Sequence, residues 1–173
     1  MNIHRTILWM NSDGFSLIEL IVVITIIGIV SGISTLGFNN WQKKGRVESQ
    51  IKQMASDINE VRMRALTRKQ RHSLTLNATS YVFKSYSSES EATGSGTILP
   101  GGSHTVLYPL RDATTRYAGE RYMIDERGML ESFTATVFLD DAAASLGSIN
   151  CLTIHTIRVN VGKQNASGAC DDK

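Results

Sequence analysis

From Phe15 to Leu36 the chain reads FSLIELIVVITIIGIVSGISTL, apolar on every side of a helix and carrying one charge, Glu19. Beyond it the pattern changes. Val47, Ile51, Met54, Ile58, Val61 and Ala65 recur by alternating fours and threes, which lines them along one helix face. Lys43, Lys44, Arg46, Glu48, Lys52, Asp57, Glu60, Arg62 and Arg64 fall between them and read as the solvated face. The pattern predicts one long helix, apolar all round at first and amphipathic over about residues 41–70. The stripe is too short for a coiled coil and is followed by strand signals, so it predicts packing on a sheet.

After Arg71 the period becomes two. Leu74 and Leu76 alternate with polar neighbours, Asn77 to Ser80 reads as a turn, and Tyr81 and Phe83 continue on one face, which predicts a hairpin. Ser87 to Ser103, rich in Ser and Gly, reads as a long surface loop. Further strands are predicted at Thr105 to Leu110, Arg121 to Asp125, Ser132 to Leu139, Asn150 to His155 and Arg158 to Val161, with a turn at Glu126-Arg127-Gly128. One helix followed only by short strands implies an α+β domain, with the helix covering one face of an antiparallel sheet.

A bilayer-crossing helix needs about 20 apolar residues, whereas the apolar core of a cleaved secretory signal has about 7–15. The run from Phe15 suits the former, so residues 15–38 are read as a transmembrane half-helix. Within hydrocarbon the Glu19 carboxylate costs about 2.5–3.5 kcal/mol and requires a partner. A cut between Gly14 and Phe15 would supply one, because it creates an α-amino group one helical turn from Glu19. Gly28 and Gly32 form a GxxxG pair that would let a second helix approach closely.

The segment Gly14-Phe15-Ser16-Leu17-Ile18-Glu19-Leu20 resembles the class III signal of type IV prepilins and pseudopilins. The resemblance implies a pilin fold and a leader over residues 1–14. It implies prepilin peptidase cleavage after Gly14 and N-methylation of Phe15. It also implies pairing of Glu19 with the N-terminal amine of a neighbouring subunit. The partners it implies are other pilin or pseudopilin subunits, met through their N-terminal helices, the peptidase and an inner-membrane assembly platform. The implied location is the bacterial inner membrane, single-pass with a periplasmic head at 39–173, and then a pilus or pseudopilus. Two features depart from the family pattern: Asp13 precedes the glycine where a basic residue is usual, and no proline occurs before Pro100.

More loosely, the helix end at Arg62, Arg64 and Ala65, the Tyr122-to-Gly128 segment and the hairpin closed by Cys151 and Cys170 look like the GspH/FimT group of minor pilins. The two cysteines have no nearby histidine pair to complete a zinc set, so a Cys151–Cys170 disulfide is the simpler reading in an exported domain. Some members of that group bind DNA, for which Arg158 and Lys163 are the available cations here. The acids Asp171 and Asp172 oppose that use, and a net charge of +2 does not call for a nucleic-acid partner.

A length of 173 residues with 42% hydrophobic and 20% charged residues suits one globular domain plus the apolar run. No GxxxxGK[ST], HExxH, GxSxG or CxxC occurs, and the four histidines are scattered. No enzyme activity, cofactor or metal is therefore expected; Asp140-Asp141 and Asp171-Asp172 lack the alternating spacing of a calcium loop.

Overall fold

The computed structural model describes residues 14–88, 91, 94–131, 134–140, 144–145 and 147–172, without the side-chain surroundings of 33–37. The chain divides between Asn39 and Asn40 into two compact units. A single helix, α1, is assigned from Leu17 to Arg68.

In the second unit α1 is followed by strands β1 (His72–Asn77), β2 (Ser80–Ser85), β3 (Thr97–Thr105), β4 (Leu110–Arg111), β5 (Ala118–Ile124), β6 (Thr134–Leu139), β7 (Cys151–His155), β8 (Val159–Gln164) and β9 (Cys170–Asp172). They form two sheets, ordered β3-β2-β1-β5 and β4-β6-β7-β8-β9. Every pairing is antiparallel. The fold is thus α+β, with the helix packed on two antiparallel sheets rather than on the single one expected.

The 3.6-residue stripe explains the packing. Val47, Ile51, Met54, Ile58, Val61 and Ala65 are all buried and share one core with Leu74, Leu76, Tyr81, Phe83 and Ile124 of the first sheet and Val137, Leu139, Leu152 and Ile154 of the second. The β1–β2 register sets Leu74 opposite Phe83 and Leu76 opposite Tyr81, so the alternating apolar residues of both strands reach the same face. Fully burying one such side chain contributes about 1.5–3 kcal/mol, so the stripe is the main tie between helix and sheets.

The polar side of α1 is less uniformly solvated than its sequence suggests. Asp57 is buried and Arg62 half-buried. Arg62 Nε donates to the Gly128 carbonyl at 2.7 Å and its terminal nitrogen lies 3.5 Å from the Thr156 carbonyl, tying α1 to two turns. Gln50 meets the backbone of Tyr108 twice, donating to its carbonyl at 2.8 Å and accepting from its N–H at 2.9 Å. Arg68 ends the helix, and Lys69 takes the left-handed conformation, φ 52°, usually given to glycine at that place.

Two loop assignments change. The Ser/Gly-rich segment is not loop throughout, because Thr97–Thr105 pairs with β2. Its glycines serve a register shift between Val82 and Lys84: Gly101 has φ +71°, and a Cβ on Gly102 would sit 2.8 Å from that of Leu99. The strand expected at Thr105 to Leu110 is instead mostly the connection from β3 to the two-residue β4. Two of the residues of the Ser132 to Leu139 segment, and Asp141, lie outside the described residues.

Candidate functional site

The first unit begins its helix at a polar cap. The Ser16 carbonyl accepts the Leu20 N–H at 3.2 Å, which puts Glu19 in the first turn, where the helix dipole favours an acid. Phe15 is 84% exposed, and the large apolar side chains from Leu17 to Val30 are each at least 42% exposed. Thr25 is satisfied within the helix, its hydroxyl donating to the Val22 carbonyl at 2.7 Å. Among the described residues no hydrogen bond or ion pair reaches the Glu19 carboxylate. A Cβ on Gly28 or Gly32 would meet no atom within 4 Å, so that face is open to close approach.

No helix among the described residues is long and apolar enough to cross a membrane. The described apolar stretch, residues 17–32, covers about 24 Å at the helical rise, against about 30 Å of hydrocarbon. The side chains that follow in sequence, 33–37, lie outside the described residues, as does the expected leader up to residue 13.

In the head, Cys151 on β7 and Cys170 on β9 are joined by a disulfide. Arg158 and Lys163 are both exposed but stand at opposite ends of β8. Lys163 pairs in register with Asp171 and borders a cleft of about 440 Å³ that also contains Arg111 and Asp140. Their five-residue separation along a strand, about 16 Å, does not bring them into one cationic patch. The neighbouring acids are engaged: Asp140 with Arg116 and Arg111, Asp171 with Asn165 at 2.8 Å, and Asp172 with Asn160 at 2.6 Å. Among the described residues no group of three or more His, Cys, Asp or Glu side chains could hold a metal ion.

One polar cluster escaped the sequence reading. Tyr81 donates its hydroxyl to the buried Asp57 carboxylate at 2.6 Å, and Gln53 donates to the other oxygen at 2.7 Å. The His104 ring stacks on Tyr81 at 4.9 Å, with Nε2 3.7 Å from Asp57. Burial first, and then the Asp57 carboxylate, push the Tyr81 hydroxyl far above its usual pKa, so it stays a donor. This arrangement fixes helix to sheet through a satisfied buried acid. The faint signal for it was an Asp at the margin of the apolar stripe.

Comparison with known proteins locates a functional signal at the first unit. Residues 9–35 match the prokaryotic N-terminal methylation motif. No curated protein and no solved structure matches the chain. The matched stretch includes Gly14, Phe15 and Glu19, and it supports a pilin-like or pseudopilin subunit processed by prepilin peptidase.

Proposed function

We propose that this chain is a structural subunit of a type IV pilin-like filament, made as a prepilin, cut between Gly14 and Phe15, methylated at Phe15 and assembled through its N-terminal helix. The observation that carries the reading is the methylation motif over residues 9–35, coinciding with the single acid of an exposed apolar helix, Glu19, which has no partner among the described residues. Water is a poor solvent for that surface, and burial in a bilayer or against neighbouring helices removes it from water.

In this reading residues 15–38 anchor the precursor in the inner membrane with the head in the periplasm. Glu19 then sets the axial register in the filament, because an uncompensated buried charge is strongly penalised and only one offset brings it to a neighbour's Phe15 amine. The likeness of the head to GspH/FimT minor pilins favours a low-copy subunit of a pilus or type II secretion pseudopilus. Nucleic acid is the weaker partner, since Arg158 and Lys163 stand apart and the acids Asp171 and Asp172 follow.

The test is the intact mass and N-terminal residue of the protein recovered from its native membrane. A chain starting at N-methylated Phe15 is expected; one still starting at Met1 overturns the proposal. Counting the subunit in purified filaments distinguishes a minor from a major pilin.

A further inference from the structure

The part of α1 that follows the apolar run carries Trp41, Lys43, Lys44 and Arg46, all within the second unit. Trp41 is 71% exposed. Lys43 and Arg46 are exposed and Lys44 is half-buried. At 3.6 residues per turn, Lys43, Lys44 and Arg46 point at about 0, 100 and 300° around the axis and Trp41 at about 160°. Cationic or amphipathic side chains therefore leave the helix in every direction within little more than one turn.

The charges of this collar have little to oppose them. Between Glu19 and Glu48 the sequence contains no acid. Among the described residues no ion pair engages Lys43, Lys44 or Arg46. Glu48, the nearest acid, has its carboxylate turned to the Ser148 N–H at 2.8 Å. That hydrogen bond, helped by Lys44 and Lys52, holds its pKa below the usual value.

We propose that Trp41, Lys43, Lys44 and Arg46 form a collar that binds the phosphates of anionic phospholipids in the membrane leaflet facing the head. This rests on the membrane-anchor reading above. An indole has an apolar body and one N–H donor, the composition that favours the headgroup layer. Lys and Arg stems lie along apolar surface while their charged ends reach the phosphates. The collar thus marks where the helix leaves the hydrocarbon and selects the lipid around it.

The experiment uses the full chain carrying Trp9→Phe, which leaves Trp41 as the sole tryptophan, in bilayers of phosphatidylglycerol and phosphatidylethanolamine. Resistance to carbonate extraction reads the anchor by itself. Quenching by phospholipids brominated at different acyl depths, and the ratio of the two lipids retained through detergent purification, read the collar. Trp41 is expected to be quenched most by bromines nearest the headgroups. K43Q, K44Q and R46Q should each lower the retained phosphatidylglycerol ratio by up to about fivefold, the factor matching the attraction of one cation to an anionic surface. K52Q, further along the helix, should leave it unchanged.

An embedded protein whose triple variant keeps its lipid ratio, or in which K52Q loses as much as K43Q, overturns the collar while the anchor stands. Cations that serve an acidic neighbouring subunit would give that result. Release by carbonate overturns the anchor reading and the collar with it.

Discussion

The space a side chain would fill on Gly162 is occupied by the backbone of Asp171: a Cβ built there runs into the Asp171 carbonyl oxygen, with the Cys170 sulfur at 3.0 Å. β8 lies between β7 and β9, with Gly162 opposite Cys151 on one side and Asp172 on the other. Strands flanking a flat central strand stand about 9.5 Å apart, yet the Cys151 and Cys170 Cα atoms are 5.9 Å apart. The sheet edge folds around β8, and the disulfide closes over a residue with no side chain.

Gly162→Ala should therefore destabilise the head by about 2–3 kcal/mol, the scale of overpacking in a rigid site. Reduction of the disulfide should cost about 3 kcal/mol by the loop-entropy argument. Urea unfolding of the detergent-solubilised chain, oxidised and reduced, measures both. Equal stability of Gly162→Ala and the parent protein would contradict the close approach.

Tyr81→Phe should cost about 1–3 kcal/mol, because it leaves the buried Asp57 carboxyl without one of its hydrogen bonds. Tyr81→Phe with Asp57→Asn should be less destabilised than the sum of the single changes. A double-mutant cycle in denaturant reads that coupling.

His72 lies fully buried, with Nδ1–H donating to the Gln70 carbonyl at 2.8 Å and no partner for Nε2 among the described residues. Burial foremost, with Arg64 and Arg68 adding, lowers its pKa from the usual 6.5, against the opposing Gln70 hydrogen bond. The folded protein then binds a proton less readily than the unfolded chain. His72 thus leaves stability unaffected above about pH 6.5 and reduces it as pH falls from there to the folded pKa, by at most about 1.4 kcal/mol per pH unit. Denaturation followed from pH 8 to 5 should show that acid limb, and His72→Leu should flatten it.

Lys69→Gly should raise stability by about 0.5–1 kcal/mol, since a non-glycine residue held at φ 52° carries a steric cost that glycine lacks. The shift of the denaturation midpoint is the measurement. A loss of stability would mean that the Lys69 side chain contributes more than its backbone costs.

Glu19→Ala should leave cleavage and insertion intact, because an alanine is cheaper in hydrocarbon than a carboxylate, and should remove the subunit from filaments. Immunoblots of membrane and sheared-filament fractions separate the two steps. Undiminished incorporation of the variant would remove the register role from Glu19.

The sequence made the helix core legible because Val47 to Ala65 obey one period, and the structure buries all six stripe positions. The N-terminal signal was legible because a single acid in an apolar run has no local explanation. Asp57 and Arg62 were misread as solvated because their partners, Tyr81 and Gly128, lie 24 and 66 residues away, beyond what a helical period can register. The β3 strand was hidden by Pro100, Gly101 and Gly102, which signal a loop when read alone. β2 supplies the pairing that overrides them, and the glycines become the bulge. The second sheet was concealed for the same reason, since which strands neighbour one another is a long-range outcome that alternation does not specify.

The stripe and Glu19 belong to the same helical assignment, Leu17–Arg68. In a filament of the kind proposed, force entering the second unit at its N-terminal end would load α1 before the strands. It would be resisted there by side-chain packing from Val47 to Ala65 and by the twin Gln50 bonds to Tyr108. The strand ladders would be loaded only after that contact slipped. Mechanical strength in this head is therefore a matter of shear between helix and sheets, and substitutions along the stripe should lower its yield force before they alter strand pairing.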